Sequence, residues 1–240
     1  MKIKKIKNYF KGKKVLITGH TGFKGSWLSL WMYCSGAKVL GISDSIPTRP
    51  SHYELLKLNK KISSKIIDIS ELKKLKKAFI KFNPDYVFHL AAQAIVKTSY
   101  SQPVKTWKTN LIGTVNILEC LRMTKKKIIA VMITSDKAYQ NLEIKRGYNE
   151  NDILKGTDPY GASKSSADIA INSYHHSFFS KKKGKILIAI ARAGNVIGGG
   201  DWSKNRLIPD VLRSLDASEV ITVRSPLAIR PWQHVLEPLS

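Results

Sequence analysis

Only two of the 240 residues are cysteine, Cys34 and Cys120, and each falls in a segment with the period of an amphipathic helix. Two such residues make no disulfide framework, so the chain is expected to work in a reducing compartment, the cytoplasm. No apolar run approaches the roughly 20 residues that cross a bilayer, and no membrane association is expected. The opening MKIKKIKNYFKGKK is basic but lacks the apolar stretch of a secretory signal. Acidic residues are scarce, 17 against 41 Lys plus Arg, which gives a net charge of +24. The lysines lie in scattered clusters (KLNKKISSK, ELKKLKKAFIK, SKKKGK) with little aromatic interleaving. That pattern fits a solvated surface and not a specific nucleic-acid face. A field of this sign also favours an anionic small substrate. No His/Cys/Asp spacing points to a metal, and His175–His176 reads as helix surface.

What is present is a regular alternation. Apolar strands are expected at Lys14–Thr18, Lys38–Ser43, Ser64–Ile67, Tyr86–Leu90, Ile128–Thr134 and Ile186–Ala191. Helical patterns fall near Lys24–Cys34, Glu71–Phe82, Val104–Met123 and Tyr160–Phe179. Apolar strands without polar alternation, joined by helices, indicate a parallel sheet covered on both faces. This is a Rossmann-type doubly wound α/β fold, which binds ligands outside the carboxyl ends of its strands. Residues 10–192 are expected to form that dinucleotide-binding domain. From residue 193 the chain turns rich in Gly, Pro, Trp and Arg, and the final HVLEPL reads as the beginning of a helix. Residues 193–240 are therefore expected to open a small substrate lobe and to leave it incomplete.

The first strand runs into TGHTGFKGSW, where Gly19, Gly22 and Gly25 have GxxGxxG spacing around Thr21, Phe23 and Lys24. A tight turn needs a positive φ, close backbone approach to a pyrophosphate needs a missing side chain, and a helix N-terminus supplies N–H groups. A ribose-binding acid is expected about 20 residues later, where Ser43 or Asp44 could serve. Asp44 would repel a 2′-phosphate and favour NAD over NADP, although Arg49 lies close in sequence. Asp68, beside Ile69 after the third strand, is expected either to contact the adenine or to cap the next helix.

Two further groups carry chemistry. The strand IIAVMI stops at Thr134, and Ser135, Asp136 and Lys137 follow where it reaches the surface. In DPYGASKSS, Tyr160 and Lys164 stand four apart, hence on one face of a helix. A phenol with an ordinary pKa of about 10 is a poor base near neutrality. An adjacent ammonium, together with a cationic nicotinamide ring, would lower it, so that the pair can take a proton from a sugar hydroxyl while hydride leaves.

The segments TGHTGFKG, HLAAQ, TSDKAY, YGASK and RAGNVIGGGDW together resemble the extended short-chain dehydrogenase/reductase superfamily. GHTGFKGSWLSLW, SDKAY, RAGNVIGGGDWSKNRLIPD and RPWQHVLEPLS are similar to the blocks of its CDP-glucose 4,6-dehydratases, from about Phe10 to the last residue. The resemblance implies NAD held through a full turnover, CDP-glucose as the nucleotide-sugar substrate, and loss of water to give CDP-4-dehydro-6-deoxy-D-glucose. Ser135 would then bond the C4 oxygen beside Tyr160, and Asp136 would protonate the departing C6 hydroxyl. Lys137, where related dTDP-glucose dehydratases carry glutamate, would be the C5 base or would position a water. Leu90, Ala91 and Ala92 would pass the cofactor, and Gln93 would face the sugar. Asn195 would bond the diphosphate, while Arg206, Leu207 and Arg230 would line the nucleotide pocket. Trp232, close by, reads as packing. The family also implies a homodimer through the helices at 104–123 and 160–179, and a role in making deoxysugar precursors of surface polysaccharide. Two rival readings share these residues: a nucleotide-sugar epimerase, which has no use for the Asp136–Lys137 pair, and a non-catalytic dinucleotide-fold protein that binds through its charge.

Overall fold

The computed structural model describes residues 9–180, 184–223 and 225–240; residues 1–8, residues 181–183 of the SKKKGK cluster and residue 224 lie outside the description. Six parallel strands form the main sheet, β1 (Lys14–Thr18), β2 (Lys38–Ser43), β3 (Ser63–Ile66), β4 (Tyr86–His89), β5 (Ile128–Ile133) and β6 (Ile186–Ala191), in the order β3-β2-β1-β4-β5-β6. Each expected strand is found within a residue of its expected ends. The winding reverses between β1 and β4, so a crevice opens where their carboxyl ends diverge.

Alternate residues of β1 fill two separate cores. Leu16 packs with Leu40, Val87 and Leu121 on one face, while Val15 and Ile17 pack with Leu28 and Met32 on the other. The first face is covered by α2 (Leu72–Phe82) and α3 (Gly113–Arg122), the second by α1 (Phe23–Cys34). The helix expected over 104–123 is continuous but uneven: a turn at Pro103–Trp107, a π-helical turn at Lys108–Ile112, then α3. Helix α4 (Pro159–Tyr174) likewise ends in a π-helical turn, His175–Phe179. Cys34 is exposed, Cys120 is buried, and neither is in a disulfide.

The region after residue 193 differs from expectation. Asn195–Ile197 (β7) and Trp232–His234 (β8) pair in parallel as a second small sheet, and α5 (Leu207–Asp216) lies between them. The HVLEPL segment does not begin a helix. His234 closes β8, Val235 is fully buried with its N–H on the Ile197 carbonyl, and the residues after it form turns. Pairing with β7 captures the segment, a tertiary contact that local helical pattern does not reveal.

Gly41, in the middle of β2, makes room for a buried side chain: an added Cβ would collide with the imidazole of His20. Gly41→Ala is expected to lower the free energy of unfolding by about 1–3 kcal/mol, the usual cost of overpacking. Equilibrium urea denaturation measures it.

Candidate active site

The crevice at the reversal point is a cleft of about 1480 Å³, larger than the 300–1,000 Å³ of a typical small-ligand pocket. Every residue proposed from the sequence lines it. Gly19, Thr21, Gly22, Phe23, Lys24 and Gly25 form one end with Asp44, Asp68 and Ile69. Leu90, Ala91, Ala92 and Gln93 form the floor, and Ser135, Asp136, Lys137, Tyr160 and Lys164 the middle. Asn195, Arg206, Leu207, Arg230 and Trp232 form the far wall.

The glycines are required by contact. Gly19 has φ +76°, and an added Cβ would stand 2.8 Å from the Ala91 nitrogen. At Gly25 it would strike the Gly19 carbonyl oxygen. Gly22 meets no such crowding; it caps α1 without a side chain, so no side chain covers the N–H groups of the helix's first turn. Ser43 and Asp44 differ in how they are hydrogen-bonded. The Ser43 hydroxyl is buried, joined to His20 Nδ1 at 2.9 Å and accepting the Thr21 N–H at 3.3 Å. Asp44 is exposed and engaged only by the Ser45 hydroxyl at 3.2 Å, leaving carboxylate capacity for a ribose diol. Asp68 accepts the Ser70 N–H at 2.8 Å, so it shapes the entry to α2 while it also faces the cleft.

Beneath the floor runs a buried line of hydrogen bonds. Ala91 N–H donates to Thr18 Oγ1 (3.1 Å), which lies 2.7 Å from His89 Nδ1. His89 Nε2 meets Thr114 Oγ1 at 3.0 Å, and that hydroxyl donates to the Asn110 carbonyl at 2.7 Å. The donors allow one direction: Thr18 donates to Nδ1, and Nε2–H donates to Thr114. A neutral imidazole results, and burial accordingly pushes His89 down to about 3, helped by the Lys164 charge. The Asn110 amide holds both ends of the Gln93 peptide unit, at 2.8 and 3.1 Å, and donates to Ser163 Oγ on α4 at 2.9 Å. The Gln93 amide is itself committed to Ile95 and Thr106, so this residue fixes the loop as much as it faces the cleft.

The middle of the site is built by latching α4 to the turn after β5. Asp158 caps α4 through the Tyr160 and Gly161 N–H groups. Gly161 lies against the Lys137 carbonyl, where a Cβ would sit at 2.8 Å, and Ser165 Oγ donates to the Ala138 carbonyl at 2.7 Å. Ser135 Oγ donates to Asp136 Oδ1 at 3.0 Å and accepts the Lys137 N–H at 3.2 Å. The Tyr160 phenol is held above its ordinary value by burial, against a hydrogen bond with Ser135 and the charge of Arg206. The phenol thus stands above its ordinary value in the protein alone, and the groups that oppose its burial are Ser135 and Arg206 instead of the expected Lys164. Lys164 is pushed down to about 8 by burial and by the charge of Lys24, against a weaker pull from Asp168. Lys24, also lowered by burial and by Arg206, is drawn the other way by Asp136 and Asp201.

On the far wall Arg206 pairs with Asp201 at 3.1 Å, and Arg230 is exposed with Nη1 on the Ile229 carbonyl. Asn195 is held in register with Trp232 by the β7–β8 pairing. Among the described residues no group of three or more His, Cys, Asp or Glu could hold a metal ion, and no helix is long and apolar enough to cross a membrane.

The sequence pattern of the family described as GDP-mannose 4,6 dehydratase matches residues 16–237. The chain belongs to this family. A family relative, the CDP-glucose 4,6-dehydratase of Salmonella typhimurium, is 48% identical over 237 residues, 98% of this chain and 66% of that protein. The dTDP-D-glucose 4,6-dehydratase of Dictyostelium discoideum is 32% identical over 88% of this chain and 50% of that protein. The chain thus spans between half and two thirds of the length of these relatives. A dTDP-glucose 4,6-dehydratase of Streptomyces venezuelae, solved with NAD bound, shares the fold with a TM-score of 0.82 at 21% identity, covering 94% of this chain and 69% of that one.

Sequence reading passed over Asn110, Ser163, Asp201 and Thr134. Thr134 is buried in the cleft wall with no hydrogen-bond partner for its hydroxyl. Asn110 stands among other polar residues in the 104–123 segment, so the sequence carries no local signal for it.

His89 and His20, the latter pushed down to about 4 by burial, stay neutral in the folded protein where the unfolded chain protonates at the ordinary 6.5. The unfolded state binds more protons in that window, so stability is lost as the pH falls from 6.5 toward 4. Urea melts across this range are expected to show the decline, and His20→Asn to flatten it.

Proposed function

We propose that this chain binds NAD and carries the catalytic groups of a CDP-glucose 4,6-dehydratase, a hydro-lyase. Residues 10–192 act as the cofactor-binding domain, and residues 193–240 contribute to the nucleotide-sugar side. The reading is carried by one observation: Ser135, Asp136 and Lys137 share a cleft with Tyr160, Lys164 and the Gly19–Gly25 turn. The residues fit the cofactor. The uncapped start of α1 suits a diphosphate, Asp44 suits a ribose diol, and Lys164 lines the same cleft. When bound, NAD would take hydride from C4 of the sugar and give it back at C6.

The protein's groups move the protons. Tyr160 takes the C4 hydroxyl proton, with Ser135 bonded to the same oxygen; a cationic ring in the cleft would oppose the desolvation that raises the phenol. The C4 ketone makes the C5 proton acidic, and Lys137, or a water it holds, removes it. Asp136, hydrogen-bonded to Ser135, protonates the leaving C6 hydroxyl. Asn195 bonds the diphosphate, and Arg206 and Arg230 receive the nucleotide. The identity of 48% with a CDP-glucose enzyme supports that nucleotide over others. The unpaired cysteines and the family relationship support a cytoplasmic enzyme of deoxysugar and polysaccharide precursor synthesis. Val104, 78% exposed, Ile112 and Ile169 support a homodimer through the 104–123 and 160–179 helices. Val104→Glu is expected to lower the mass measured by light scattering to that of one chain.

The test is a product assay with CDP-glucose, dTDP-glucose and added NAD. A 4-keto-6-deoxy sugar, seen by its alkaline absorbance, is expected from CDP-glucose; a 4-epimer without keto product would point to an epimerase. Tyr160→Phe is expected to slow turnover by about 10²–10⁴-fold. Asp136→Asn is expected to oxidise C4 and stall, so that reduced cofactor accumulates in the near ultraviolet.

A further inference from the structure

Lys164 and Asp168 lie four apart on α4, the spacing at which an ammonium and a carboxylate meet on one face. Both are buried, at 6% and 0% exposure, where their attraction is least screened. They nevertheless form no ion pair. Lys164 Nζ reaches the Ile133 carbonyl at 3.5 Å and lines the cleft. Both oxygens of Asp168 are taken by Arg192, with Nη2 at 2.8 Å from Oδ1 and Nε at 3.3 Å from Oδ2.

The third nitrogen of this fork donates to the Tyr139 hydroxyl at 2.8 Å, and the guanidinium lies 5.0 Å from the centre of that ring. Tyr139 ends the turn that carries Ser135, Asp136 and Lys137, and it stacks on Tyr148 at 5.4 Å. Arg192 itself follows β6 directly and precedes Asn195 by three residues. One side chain therefore joins the catalytic helix, the catalytic turn and the strand that leads to the far wall.

We propose that Arg192 is a positioning residue for the Tyr160–Lys164 pair: by holding both oxygens of Asp168 it denies Lys164 its partner on the helix and leaves the ammonium facing the cleft. A lysine could not replace it, since a single ammonium cannot occupy two carboxylate oxygens and a phenol in one plane. The proposal rests on the reading that Lys164 serves Tyr160. The charged and titratable groups around Lys164 are Lys24 from α1, neutral His89 from β4, Tyr160 one turn earlier, and Asp168. With Asp168 released, it becomes the dominant neighbour, and the ammonium swings away from the cleft.

The experiment follows the Lys164 side chain directly, by NMR titration of the full chain with isotope-labelled lysine, using Lys164→Arg to assign the signal. Wild type is expected to titrate near 8. Arg192→Met is expected to raise that midpoint by about one pH unit or more, a tenfold gain in proton affinity. Adding Asp168→Asn in the same chain is expected to return it to the wild-type value or below. Arg192→Lys, which keeps the charge and loses the fork, is expected to raise it as well and carries the test if Arg192→Met does not fold. An unchanged midpoint in a folded Arg192 variant overturns the proposal. Because the titration needs no turnover, it is decided separately from the product assay; where product forms, the acid limb of the pH–rate profile is expected to move in Arg192→Lys and not in a surface control such as Lys73→Met.

Discussion

Ala91, Thr18, His89, Thr114 and Asn110 are tied into one directional chain of hydrogen bonds, and the arrangement of the cleft depends on it. Each group has a single role open to it, because a buried donor or acceptor left unpaired would cost about 1–3 kcal/mol. The chain starts on β1, passes through the middle strand β4, and ends on the π-helical turn that Asn110 occupies. From Asn110 it branches to Gln93 on the floor and to Ser163 beside Tyr160. The Gly-rich turn, the floor and α4 are therefore held in one register by neutral polar groups. No charge has to be buried to achieve it, which matters in a site that already contains several.

Those charges are arranged as a second, outer constraint. Lys24, Lys164 and Arg206 converge on the cleft, while Asp136 and Asp201 partly offset them. Burial weakens the hold of Lys24 and Lys164 on their protons and raises the Tyr160 phenol. An anionic ligand entering this space favours the protonated ammonium groups, whereas the phenol is lowered only by added positive charge, since a nearby anion disfavours the phenolate. The overall charge of +24 then acts at longer range, by raising the local concentration of anions, and says little about selectivity.

Much of this was legible in the sequence where a local rule forces the outcome. Continuous apolar runs such as KVLIT and IIAVMI have one use in an α/β protein, and the glycine spacing after β1 is demanded by contacts within a few residues. Tyr160 and Lys164 share a face by helix geometry alone. The parts that escaped are those set by contacts between distant segments. Arg192 meets Asp168 from another element, Asn110 looks like a surface residue until α4 covers it, and three-residue strands at 195 and 232 carry too little pattern to be seen. That Ser43 is engaged by His20 while Asp44 stays exposed has the same origin, since the contact comes from the turn after β1.

Between residues 193 and 240 only Val196, Pro209 and Val235 are buried among the described residues, and two of these sit at the β7–β8 pairing. The main sheet, by contrast, has two packed cores. Local opening follows such differences in burial, so within these residues the far wall is held less firmly than the sheet and the Gly-rich turn. A nucleotide seated against Asn195, Arg206 and Arg230, as proposed, would spend part of its binding free energy in ordering that wall. Its apparent affinity would then report the order of the wall as well as the contacts made to it.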